Sequence, residues 1–236
     1  MIDAWLSDGE VALVDASGAF WRHEAGSMAG ALEALGAHLR AAPAGRVRVW
    51  LGAALCRPVR IAPVAGELSR TERVRLAEQA AIEQSGLTPP CRVTIDGTDA
   101  AHEAIAIVVE ESVLAAIERV LGAAGRRART VQPWWAHLLA AALRERPTLR
   151  ALGVFEGGAM TILVGEGQRF SSAHALCPVA DSEAASAAFA RTTISAMIPQ
   201  DDALSIRLDW TAEGAPAFGA RDVAFGPWAL KQGATS

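Results

Sequence analysis

Residues 150–176 hold three short apolar runs, 152–155, 160–164 and 169–176, separated by Gly157-Gly158 and by Gly165 and Gly167. Runs this short, bounded by glycine, are strands joined by tight turns, because glycine alone reaches positive φ without steric cost. The stretch is therefore predicted to fold as an antiparallel three-stranded meander. Residues 11–24 form a weaker copy, with a small turn at Ser17-Gly18. Two similar hairpins far apart in one chain predict a duplicated α/β architecture.

The segments between them alternate in period. Leu32, Leu35 and Leu39 recur at helical spacing over residues 27–40, and Pro43 with Gly45 breaks that pattern. Residues 46–51 and 57–61 alternate as half-buried strands, Pro58 marking the start of the second. Ser69 and Glu72 are spaced as a capping box, and Gly86 sits where a helix begun there would close. Strands are predicted at 91–95 and 104–109, the second apolar enough to be covered on both faces. Val113, Leu114, Ile117, Val120, Leu121 and Ala124 form one helical stripe that Gly125 stops. A short strand over 128–131 precedes Pro133 and a helix over 134–146, which is apolar almost all round and is expected to lie between layers. Asp181 is placed to cap a helix reaching about Met197. Residues 204–210 alternate again, and 221–225 is one further candidate strand.

Composition removes several functions. The 236 residues carry a formal net charge of −4, so no basic excess supports nucleic-acid binding. Cys56, Cys91 and Cys177 are odd in number and form no CxxC pair, which argues against a zinc site or a disulfide framework. They are expected to be buried free thiols in a reducing compartment. The N-terminus has no signal-peptide core, and no stretch of eighteen apolar residues spans a membrane. None of the five histidines pairs with another ligand at i, i+4, and His137 is read as a core group with its hydrogen bonds made. Ser171, Ser172 and His174 lack a nucleophile elbow and are read as strand residues, and Glu110-Glu111 as helix capping.

The order of elements carries a resemblance. Strands at 47–51 and 59–61, a helix containing Ala80-Ala-Ile-Glu-Gln84, the block 104–125, then Val131-Gln-Pro133 and the glycine-broken meander follow one another. Over residues 10–210 this resembles the actin-like assembly proteins of type IV pili (PilM) and the cytoplasmic part of the type II secretion protein GspL. The resemblance implies an α/β fold of the actin-like class (ASKHA, ribonuclease H-like), duplicated, with mixed sheets. Residues 1–147 would be a first half with a small inserted subdomain, and 148–236 a second half, truncated or degenerate.

In nucleotide-binding relatives the second half opens with Asp-x-Gly followed by Thr on its first hairpin, where backbone amides let phosphate approach. The matching stretch, 154–161, has Phe155 at the Asp position and Glu156 one place late, while Gly157, Gly158 and Thr161 survive. In the first half Asp15 is kept, with Ala16 at the glycine and Ser17 beside it. The adenosine loop expected after residue 210 reads Asp209-Trp-Thr-Ala-Glu-Gly214. Asp15, Ser17, Gly157, Gly158 and Thr161 are thus the candidate nucleotide contacts, in a damaged site. Gly157-Gly158 read equally as a hairpin turn, and Asp15 as a turn cap. Arg126, Arg127, Arg129 and Trp134 are the candidate partner surface, if Trp134 reaches solvent beside the arginines; complete burial of the tryptophans and a solvated connection for the arginines are the simpler readings.

The resemblance implies a non-catalytic cytoplasmic scaffold of a bacterial pilus or type II secretion platform, without a cofactor. It would bind an inner-membrane assembly protein and an assembly ATPase, and sit at the inner membrane through its partner. The rival reading is an ATPase or phosphotransferase using ATP with magnesium, for which Asp15 and Glu156 are the available carboxylates. A domain that has lost both sites and serves in a homodimer is the third.

Overall fold

A strand at the very N-terminus, β1 (Ile2–Ser7), is buried along its whole length, and the first sheet is assembled around it. The computed structural model describes residues 1–15, 17–64, 66–95, 104–156, 158–166 and 169–207. β1 pairs antiparallel with β2 (Glu10–Val14), and β2 with β3 (Phe20–Glu24). The chain then forms α1 (Met28–Ala41) and returns as β4 (Val47–Leu51), parallel to β1. The hairpin expected at Ser17-Gly18 is therefore only the second turn of a full meander. Its first strand escapes a periodicity reading because polar Asp3 and Ser7 lie on its inner side. Asp3 is buried there by a bidentate pair with Arg48 Nε and Nη2, at 2.6 and 2.8 Å, and by an N–H from Trp50 at 3.2 Å.

After β4 an insertion builds a separate antiparallel sheet of β5 (Cys56–Ile61), β6 (Cys91–Ile95) and β7 (Ala104–Glu110), ordered β5-β7-β6. Its helix α2 (Arg70–Ser85) starts on the reciprocal Ser69–Glu72 cap and ends at Gly86, in the left-handed region at φ 64°. Pro58 lies inside β5 and not at its start, which an edge strand tolerates. Next, α3 (Glu111–Ala123) ends on Gly125 at φ 67°, with the Arg126 N–H returning 2.8 Å to Leu121 O, a Schellman closure. Glu110 stands at the N-cap of α3 but does not cap it: its carboxylate accepts from Thr88 N and Ser112 Oγ. β8 (Ala128–Pro133) completes the first sheet, parallel to β4, in the order β3-β2-β1-β4-β8.

α4 (Trp134–Glu145) then leads into β9 (Ala151–Glu156), β10 (Ala159–Glu166) and β11 (Arg169–Leu176), the predicted meander. α5 (Ser182–Ser195), capped by Asp181, and β12 (Ala203–Arg207) follow, β12 being parallel to β9. The second sheet is ordered β11-β10-β9-β12. This repeats the order and strand directions of β3-β2-β1-β4, with α5 in the place of α1. The tail strand expected at 221–225 lies outside the described residues.

Both sheets share one core. Trp5 and Trp50 from the first, Leu152, Val154, Leu163 and Ile206 from the second, and Trp134 and Leu138 of α4 form a single buried cluster. α4 is thus the middle layer, as its all-round apolar sequence requires. The outer face of the first sheet is covered by α1 and α3, and that of the second by α5. Of the three thiols only Cys56 is buried; Cys91 is half-buried and Cys177 exposed.

Candidate functional site

Superposing the two meanders by register puts their first turns in correspondence. In the first, Ser7 pairs with Glu10 across Asp8-Gly9; in the second, Glu156 pairs with Ala159 across 157–158. Gly9 and Gly158 both take positive φ, 90° and 73°. Ser7 and Glu156 are therefore equivalent positions, each the last residue of its strand. The turn that corresponds to 157–158 is Asp8-Gly9, and Asp15 and Ser17 belong to the next turn along.

Glu156 projects from β9 into the space between the sheets and is 1% exposed. Its Oε2 accepts the Trp5 indole N–H at 2.9 Å, and its Oε1 accepts the Ala53 backbone N–H at 3.1 Å. Trp5 belongs to β1, and Ala53 to the loop leaving β4, where Gly52 N donates to Leu6 O at 2.8 Å. One carboxyl thus ties the second sheet to two elements of the first. Burial pushes its pKa up to about 8, and the Trp5 and Ala53 bonds oppose that only in part. At neutral pH the group is mostly protonated. Cys56 lies in the same environment: burial, then the nearby Glu156, pushes its thiol far up. Two buried hydroxyls on these inner faces, Ser7 Oγ and Thr161 Oγ1, have no hydrogen-bond partner.

The other candidate nucleotide contacts are arranged differently. Asp15 Oδ1 accepts from Ser17 N, Ser17 Oγ and Ala19 N at 2.8, 2.6 and 3.0 Å, so the pair closes its own turn. The Ser17 hydroxyl bond chiefly holds the Asp15 pKa below its usual range. Thr161 is fully buried within β10, and Gly157 lies outside the described residues, as does the loop 209–214. Neither expected carboxylate is open to magnesium: Glu156 is buried and accepts two N–H groups, and Asp15 faces its own turn. Among the described residues no three His, Cys, Asp or Glu side chains come together to hold a metal ion.

The arginine cluster divides. Arg126 Nη2 donates to Leu39 O and Ala42 O at 3.0 and 2.7 Å, closing the C-terminus of α1. Arg127 and Arg129 are exposed. Trp134 is not a docking residue: it is 1% exposed, in the central core, and Trp135 is buried beside it. Helix α4 is covered on both sides, so neither indole reaches solvent. A feature the sequence reading did not find lies next to Arg129. A groove of about 800 Å³ runs between β8, the edge strand of the first sheet among the described residues, and the side formed by β7 and α3. Ile107, Val109, Leu114 and Ala136 give it an apolar floor, with Arg129 and Gln132 on its wall. His137 also lines it, but its Nε2 is buried without a partner, contrary to the expected satisfied core group. Burial pushes the His137 pKa down to about 4, with Arg48 and Arg144 adding to the effect.

Paired meanders, each followed by a helix and a parallel strand, with one helix shared between the two sheets, define an actin-like fold. The cytoplasmic domain of EpsL, an inner-membrane component of the type II secretion system of Vibrio cholerae, matches all of this chain and 94% of its own length, at a TM-score of 0.59 and 14% identity. A Bacteroides thetaiotaomicron protein with an actin-like ATPase fold and unknown function matches 90% of this chain and 82% of its own, at a TM-score of 0.60 and 9% identity. The PilM–PilN type IV pilus biogenesis complex matches 88% of this chain over 80% of that one, at a TM-score of 0.54 and 13% identity. No protein-family model matches the sequence, and neither does any curated protein.

Proposed function

We propose that this chain is a non-catalytic scaffold of a bacterial type II secretion or type IV pilus platform, holding a cytoplasmic segment of an inner-membrane assembly protein. In this reading residues 1–147 and 148–236 are the two actin-like halves, and the protein is cytoplasmic and reaches the membrane through its partner. The likeness to cytoplasmic EpsL and to the PilM–PilN complex supports the setting. No helix among the described residues is long and apolar enough to cross a membrane.

The observation that carries the reading is Glu156. A phosphotransferase would need this carboxyl ionised and open to magnesium. Here it is buried, mostly neutral, and accepts two N–H groups from the other sheet. The groove beside β8 offers the alternative: an edge strand for backbone pairing, an apolar floor, and polar groups at its wall. An assembly ATPase as a second partner belongs to the same reading, while a homodimer of a domain without either site is a separate one. A photo-crosslinker replacing Gln132, exposed on β8, tests it in cells. It should capture the cytoplasmic segment of an inner-membrane secretion or pilus protein. Capture of no such protein, with the crosslinker proven reactive, would count against the proposal.

A further inference from the structure

A second groove, of about 620 Å³, opens at the other end of the first sheet, between β3 and α1. It shares no lining residue with the groove beside β8. Alternation along β3 puts Trp21 and His23 on the α1 side and Arg22 on the other. α1 runs back along the strand. Gly30, near its start, lies so close that an added Cβ would come within 3.0 Å of the Ala25 Cβ. Further along the helix the His38 ring stacks on Trp21, with 4.5 Å between centroids. Glu33 and Ala34, between those two contacts, therefore come level with His23.

Three features of the groove select an occupant. Its floor is small, with Ala25, Gly30, Ala34 and Ala37, and leaves room for a crossing main chain. Its rings form a row: His23 lies parallel to Trp21, 6.0 Å away and tilted by 4°, and His38 follows on the α1 side. Its charge has one sign, since Glu24 and Glu33 line it and no Lys or Arg does among the described residues. Glu24 is already paired with Arg22. Glu33 is exposed and has no partner among the described residues. An exposed ring, His23, and an unpaired carboxylate, Glu33, thus stand level at the mouth. A guanidinium uses both at once, because it is planar, stacks on rings and offers paired N–H groups to a carboxylate. An ammonium answers the carboxylate alone.

We propose that this groove holds an arginine side chain from a basic segment of a partner protein, its guanidinium stacked on His23 and paired with Glu33. The main chain of the segment crosses the small-residue floor, which separates this site from one for a free small cation. The inference stands whether or not the groove beside β8 holds a membrane partner.

Fluorescence anisotropy at pH 8 with the labelled pentapeptide Gly-Ala-Arg-Ala-Gly tests it, beside the same peptide carrying lysine or glutamate at its centre. The arginine peptide should bind most tightly and the glutamate peptide not at all. Glu33→Gln should weaken arginine-peptide binding roughly threefold to fivefold, the range for losing an exposed ion pair. His23→Ala should weaken it about threefold through the lost stacking. Both positions are exposed, and circular dichroism melts confirm that the variants are folded. Asp201→Asn, an exposed carboxylate outside the groove, should leave the affinity unchanged. No binding of the arginine peptide, equal binding of the arginine and lysine peptides, or unchanged affinity in Glu33→Gln would overturn the proposal. So would displacement by agmatine at the peptide's own concentration, in favour of a small-cation site.

Discussion

Glu156 sets the pH behaviour at the scale of single residues. Its unfolded carboxyl ionises near 4.5, while the native one holds its proton to about 8. The native state therefore binds more protons between those values, and stability is full below 4.5 and is lost as pH rises through 8. A shift of this size corresponds to on the order of 5 kcal/mol once both states are ionised. Urea midpoints should fall from pH 5 to pH 9, and Glu156→Gln should flatten that slope; an unchanged slope would contradict the assignment. His137 works in the opposite direction. Its pKa is depressed to about 4, so the stability it contributes is present above 6.5 and lost as pH falls through 4. Replacement by Phe or Leu should lessen acid unfolding without altering the alkaline limb, as midpoints between pH 6 and 3 would show.

Among the elements, the helix ends were legible and the first strand was not, and the reason is range. Ser69 and Glu72, Asp181, and Gly125 act on main-chain groups a few residues away, so their spacing alone reveals them. β1 pairs locally with β2, but the polar groups of its inner face meet partners far along the chain: Arg48 for Asp3, and Glu156, 151 positions away, for the Trp5 indole. The candidate site follows the same rule. Glu156 could be singled out as a carboxylate near a turn, but nothing local indicates that Trp5 and Ala53 meet it. Arg126 falls in the candidate partner surface by sequence alone because its acceptors lie on α1, more than eighty residues earlier. Arg126→Ala should loosen the end of α1 and cost about 1–3 kcal/mol, the range for losing hydrogen bonds from a charged donor. A thermal melt showing less than a few tenths of that loss would contradict the capping role.

The whole molecule is two similar sheets closed on one helix, with a polar contact at the point where their first hairpins face each other. That contact and the shared core resist separation of the sheets, and nucleotide-driven opening would have to break both. The central claim is that the actin-like fold is used here for holding partners and not for nucleotide chemistry. Calorimetric titration of the purified protein with ATP and magnesium tests it most directly. The account predicts no binding heat up to millimolar ATP; saturable binding in the micromolar range, lost in a variant of Glu156, would contradict it.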